Sequence, residues 1–298
     1  MVNGMSIAVQ SKIRCRQIGE QDIDAVVDLL MRGFPGRARH HWMRGFERQA
    51  VRPVPPPCPR YGFLLESDGV PVGVILLLCT SFDAGSEPMT RCNLSSWYVE
   101  PAFRVHASLL IAFALKHKHV TYMNTSPARH TWPTVEAQGF TRYCSGQFFA
   151  VPALSKAVEK VTVTEIKPDD ALDWHPRLPE RDLLLAHARY GCLSLVCATA
   201  ENSHPFIFLP FRIRKGRVPL PCMHLIYCRE VADFVRFARP LGRFLLRRKM
   251  PWVILDANGP IEGLVGIYRE GRGRKYFKGP NQPRLGDLAF TELVLFGP

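Results

Sequence analysis

The sequence predicts a mixed α/β protein built as two similar halves, each a mostly antiparallel central sheet flanked by helices. Three observations lead there. The chain has 298 residues, about twice the usual length of one domain. Strand-like and helix-like apolar patterns alternate along it. The phrase Ile18-Gly-Glu-Gln-Asp22 is echoed by Ile166-Lys-Pro-Asp-Asp170, half a chain later, each time at the end of an alternating strand. A hydrophobic content of 47% can fill two cores, and 22% charged with 10% aromatic residues excludes a largely disordered chain. Two domains are therefore expected, residues 11–153 and 160–298, with 152–160 as a connector.

Each element has a local reason. Ile13-Arg-Cys-Arg-Gln-Ile18 alternates as a half-buried strand does. Ile23, Val26, Val27 and Leu30 then repeat at the spacing of one helix face until Gly33, Pro35 and Gly36 stop it. A second amphipathic helix is predicted over 39–49, ahead of a proline-rich stretch at 51–60 that prevents regular structure. Strands at 61–66 and 70–80 join through Ser67-Asp68-Gly69, a hairpin signal. A third strand over Cys92–Val99 runs through Glu100-Pro-Ala-Phe-Arg104 into a helix carrying Leu109, Leu110 and Phe113. A strand at 120–124, a helix ending at Gly139 and a closing strand at 141–151 complete the first half. The second half repeats the order with strands at 161–166, 192–199, 206–214 and 220–228, a kinked helix within 231–249 and a strand at 252–256.

Composition narrows the function classes. The first residues lack the continuous apolar core of a secretory leader, and the run Val70–Cys79 contains Pro71 and Gly73 and is too short to span a bilayer as a helix. The nine cysteines form no CxxC pair and no zinc-type spacing with histidine, so no metal site is predicted, and their odd number suits a reducing compartment. A cytoplasmic protein with no membrane partner is expected. The net charge of +13, shared by both halves, favours anionic partners such as nucleotide phosphates or nucleic acid without choosing among them. The basic stretch at 269–278 and the arginines of 243–249 read as solvated faces or as sites for an anionic acceptor.

Three phrases within residues 11–153 go further. Tyr98-Val-Glu-Pro-Ala-Phe-Arg104 leads from a central strand into a turn and a helix, Val135-Glu-Ala-Gln-Gly-Phe140 ends a late helix, and Gly33-Phe-Pro35 with His41-Trp42 joins two early helices. Together with the element order, they resemble the GNAT superfamily of acyl-CoA N-acyltransferases, in tandem with a degenerate second copy. The resemblance implies acetyl-CoA or another acyl-CoA as donor, no metal, and a small-molecule or peptide amine as acceptor. It also implies an anion site, in which a strand feeds a turn and helix N-terminus whose amides face a diphosphate. On this alignment Val99, Arg104, Val105, Ala107, Ser108 and Asn124 contact the cofactor, and His41, Trp42 and Ser96 border the acceptor.

Amide formation needs a proton acceptor, a stabilised oxyanion and an acid for the departing thiolate. The resemblance assigns the oxyanion contact to a backbone N–H near Tyr98, and Glu100, His106, His40 and His41 are the candidate bases. The sequence departs from the family at three places. Ala107 and Leu109 stand where small residues let phosphate approach the backbone, and Val135 stands where the family's tyrosine supplies the acid. An acyltransferase is thus one expectation. A catalytically inactive binding module of the same fold, or a transferase using aminoacyl-tRNA, are the others.

Overall fold

In the computed structural model of the protein, residues 12–83, 88–156, 161–170, 178–215 and 218–297 are described. The N-terminal residues read for a leader, and positions 157–160 of the expected connector, lie outside the described residues. The described chain divides into two compact units, Met1–Val120 and Thr121–Pro298. This division concerns packing; it falls earlier in the chain than the expected repeat boundary.

The first unit is an antiparallel sheet of β1 (Ile13–Gln17), β2 (Gly62–Ser67), β3 (Val70–Asp83) and β4 (Pro88–Val99), in that order. Ser67 pairs with Val70, and both residues between them have positive φ, Asp68 at 51° and Gly69 at 83°. That is the two-residue turn whose twist matches the strands, as the Asp-Gly pair predicts. Helix α1 (Ile23–Gly33) buries Val26, Val27, Leu29 and Leu30, the face read from the sequence. Helix α2 (Arg39–Ala50) buries His41, Trp42, Gly45, Phe46 and Gln49 at helical spacing. The Gln49 amide donates to the carbonyls of Arg60 (2.9 Å) and Leu77 (2.8 Å), tying α2 to β3. Arg16 bridges Asp22 and Glu66, at 2.6 Å each, and so fixes the entry to α1 against β1 and β2. Helix α3 (Ala107–Ala114) follows β4 through a 3-10 turn at Pro101–His106.

The second unit begins with β5 (Thr121–Asn124), α4 (Trp132–Ala137) and β6 (Thr141–Ala150). It continues with β7 (Thr162–Ile166), α5 (Arg181–Arg189), β8 (Leu193–Ala198), β9 (Ser203–Lys215) and β10 (Val218–Cys228). Helices α6 (Val231–Arg236) and α7 (Ala238–Arg247), strands β11 (Trp252–Ala257) and β12 (Gly266–Lys278), and α8 (Glu292–Leu295) complete it. The strand order is β5-β12-β6-β11-β10-β9-β8-β7, antiparallel throughout except for β10 beside β11. The repeat is legible here, because β7 to β10 repeat the order of β1 to β4. The closing strands are exchanged: β12 lies between β5 and β6, and β6 lies between β12 and β11. This exchange joins the last elements of the first half to the second half, and it accounts for a packing boundary at 120.

Both faces of this sheet are covered. Phe206, Phe208, Leu225, Val253 and Leu255 pack with Phe234, Phe237, Leu241 and Leu245 of α6 and α7. The alternate residues Ile207, Leu209 and Ile226 pack with Leu184 of α5 and with Leu288 and Val294. Three features depart from expectation. The helical segment 231–249 breaks at Phe237, so that Pro240 falls in the first turn of α7, where no intrahelical hydrogen bond is lost. Helix α5 and strand β12 were not anticipated. The latter reads as a basic stretch because its arginines and glycines carry no apolar alternation, and it is a strand because β5 and β6 pair with both its edges.

Candidate active site

Strand β4 carries an irregularity that no residue type announces. Against β3, Val74 pairs with Tyr98 and Leu76 with Ser95, so three steps on β4 oppose two on β3. This is a β-bulge at Ser96–Trp97, with Ser96 held at φ 51° and its hydroxyl 2.9 Å from that of Ser95. A bulge takes backbone groups out of the ladder and re-aims side chains. The Trp97 indole nitrogen is buried here with no hydrogen-bond partner among the described residues. A buried N–H left unpaired costs about 1–3 kcal/mol, which makes it a place where an acceptor atom is wanted.

Next to the bulge stands an aromatic cluster. The Tyr98 ring lies 6.3 Å from Phe34, Phe34 lies 5.6 Å from Trp42, and His41 meets Trp42 edge-on at 4.9 Å. Gly33 is required by this packing, since a Cβ there would overlap the Tyr98 ring. Of the tandem histidines, His41 is buried and His40 exposed, as successive positions on a helix must be. Burial, reinforced by the charges of Arg37, Arg44 and His40, lowers the His41 pKa to about 4, so its imidazole is neutral near pH 7. Ser96, Tyr98, His41 and Trp42 are thus placed in one region of the first unit.

The remaining candidates lie at the end of the strand and beyond it. Glu100 is ion-paired to Arg32 at 2.8 Å and also accepts from its Nε at 3.0 Å, which anchors the end of β4 to α1. Residues 101–106 wind as a 3-10 turn rather than an open loop. Within it the Phe103 amide donates to the Glu100 carbonyl (2.9 Å), and the Ala107 amide donates to the Arg104 carbonyl. Those two amides are therefore engaged within the chain. Arg104, Val105 and Ser108 are exposed, Val105 at 79%, while His106, Ala107 and Leu109 are half-buried. Arg104 and His106 have no ion-pair or hydrogen-bond partner among the described residues. Val99 is buried in the core. Asn124, in the second unit, is the half-buried last residue of β5 and pairs with Tyr276. Val135 is buried in α4 as an apolar core residue.

These residues fit a bound diphosphate through side chains more than through a glycine cradle. Arg104 supplies an unneutralised cation and Ser108 a hydroxyl at the start of α3, which adds the positive end of its dipole. Reasoning from the sequence missed the Trp97 N–H, and no pattern would have found it, because its burial without a partner follows from packing around the bulge rather than from neighbouring residue types. Among the described residues, no group of three or more His, Cys, Asp or Glu side chains could hold a metal ion.

A sheet whose fourth strand is bulged and runs through a turn into a helix, with that order repeated in the second half, defines a mixed α/β fold. It is the fold of the GCN5-related N-acetyltransferases, over most of the chain. The chain is similar in structure to such a protein from Anabaena variabilis, with a TM-score of 0.58 and 11% identity over 89% of this chain and 72% of that one. A GCN5-related N-acetyltransferase from Kribbella flavida gives 0.57 and 14% over 91% and 72%. A probable N-acyltransferase of Enterococcus faecalis gives 0.58 and 11% over 94% and 74%. No family model matches the sequence, and no curated protein matches it. The likeness is thus one of fold.

Proposed function

We propose that the protein transfers an acyl group from coenzyme A to an amine, with the donor held by the first half along β4, the 101–106 turn and the start of α3. The observation that carries this reading is the bulge at Ser96–Trp97, because it opens the strand at the position where the fold's donor strand would have to present a hydrogen-bond donor to a carbonyl. Acyl-CoA, when bound, supplies the thioester whose carbonyl carbon the amine attacks.

The roles of the chain's own groups follow from what holds each one. The N–H near Tyr98 and the Trp97 indole N–H are donors for the carbonyl oxygen. Arg104 and Ser108 hold the diphosphate. The Glu100 carboxylate is engaged by Arg32, so it orients the turn, and His106, without a partner among the described residues, is the candidate base for the proton that the attacking amine loses. His41, Trp42 and Ser96 border the acceptor. Val135 cannot protonate the departing thiolate, which leaves that proton to solvent or to the acceptor's own ammonium.

A second reading has a specific observation behind it: the 3-10 turn engages amides that a phosphate loop would leave free, as suits a module that has lost catalysis. Calorimetry with acetyl-CoA and longer acyl-CoAs, on the native protein and on Arg104→Glu, separates the two. Saturable binding that the charge reversal abolishes supports the transferase. Absence of binding to any thioester favours the inactive module, and salt-dependent binding to RNA alone favours an aminoacyl-tRNA donor.

A further inference from the structure

The second half contains its own version of the bulged strand. Strand β10 is irregular against β9 between Leu225 and Tyr227, which sets Ile226 in a bulge, and it runs on into α6 much as β4 runs on into the turn before α3. Its other edge faces β11 in parallel, but the two pair over three residues only, from Cys222 with Trp252 to His224 with Ile254. Beyond that point β10 continues to Cys228 and β11 to Ala257 without pairing to each other. A parallel pair that parts in this way leaves backbone donors and acceptors on the inner edges, and buried groups of that kind are found paired.

On the β10 side they are paired here by the chain's own later residues. The Cys228 amide donates to the Gly286 carbonyl at 2.9 Å, the Leu288 amide donates to the Ile226 carbonyl at 2.8 Å, and Tyr227 forms an antiparallel bridge with Asp287. The Arg284 guanidinium donates to the carbonyls of Cys228 and Arg229 and lies 5.0 Å over the Tyr227 ring. Leu288, 1% exposed, is buried with Ile226, Tyr227 and Val294. Gly286 has φ 78°, and a Cβ on it would lie 2.6 Å from the Cys228 sulfur, so this approach requires glycine.

We infer that residues Arg284–Leu288 are a built-in occupant of the opening between β10 and β11. They use the backbone groups that an extended, amide-bearing ligand such as the pantetheine arm of coenzyme A would need. The second half is thereby closed to an acyl donor, and the chain takes up acyl-CoA at one place only. The closure stands on unit geometry alone; the count of one rests on the proposed function.

Amide hydrogen exchange on the full chain tests the closure without any ligand. The amides of Cys228 and Leu288 are expected to exchange at least about 100-fold more slowly than unstructured amides, as core-strand amides do. Exchange at the rate of an exposed loop overturns the inference. Gly286→Val is expected to release both amides while the Val253 and Leu195 amides stay protected; continued protection at Cys228 and Leu288 would also overturn it. Should that variant not fold, the native protein's exchange still decides. Titration with coenzyme A then separates the two claims. Two molecules bound per native chain refute the closure, whereas none bound refutes the donor reading and leaves the closure to the exchange result.

Discussion

At the end of β4 the bulge leaves the Trp97 N–H without a partner and leads to a turn bearing the unneutralised Arg104, whereas at the end of β10 every named backbone group is met by residues 284–288. The two strands share a bulge, a following helix and a place in the repeat. They differ at their ends: the backbone of 226–229 is met by residues 284–288, whereas the Trp97 indole N–H beside the β4 bulge meets no partner among the described residues. An unmet buried donor is a place that a ligand can complete.

The same contrast applies to charge. In the second unit Lys275 and Asp256 pair at 2.7 Å with both side chains 2% exposed, beside the buried His224. Removing one partner strands a buried charge, so Lys275→Ala is expected to destabilise the protein by about 3–5 kcal/mol in urea unfolding. Arg104→Ala, on an exposed residue, is expected to stay within about 0.5 kcal/mol of the native protein. Equal losses would erase the distinction between a holding region and a binding region.

A pH series sharpens it. Burial is the main cause that lowers the His224 pKa to about 4; the neighbouring Lys275 also lowers it and Asp256 opposes both. The native imidazole stays neutral while the unfolded one takes up a proton below about 6.5. The contribution is therefore fully present above pH 6.5 and is lost as the pH falls toward 4, about 3 kcal/mol in all. Unfolding free energy measured from pH 8 to pH 4 should show this decline, and His224→Leu should lose that share of the slope.

Smaller effects are expected at the candidate site. Arg104→Glu should weaken acyl-CoA binding by about 100-fold, or ~2.7 kcal/mol, in calorimetry. Trp97→Phe keeps an aromatic side chain and removes the orphan donor with the rest of its five-membered ring. It should destabilise the protein by no more than about 3 kcal/mol, the cavity cost being partly offset by loss of the unpaired N–H, while lowering kcat/KM several-fold; unchanged turnover would remove the indole from the mechanism.

Much of the fold was legible because its signals are local. The Asp68-Gly69 turn, the α1 face at Val26, Val27 and Leu30, and the Gly139 helix end at φ 80° each follow from chemistry within a few residues. Strand β12 was not legible, since the reason it is a strand lies in β5 and β6, more than a hundred residues earlier. At the site, Arg104 and His106 could be named from the pattern. The 3-10 winding of 101–106, the Arg32 partner of Glu100 and the bulge at Ser96–Trp97 come from packing at long sequence separation.

The most direct test of this contrast is amide exchange across the whole chain with and without saturating coenzyme A. Added protection is expected at residues 96–109, with Cys228 and Leu288 already protected and unchanged. Protection arising instead at 226–231 and 284–288 would contradict the account, as would no change anywhere.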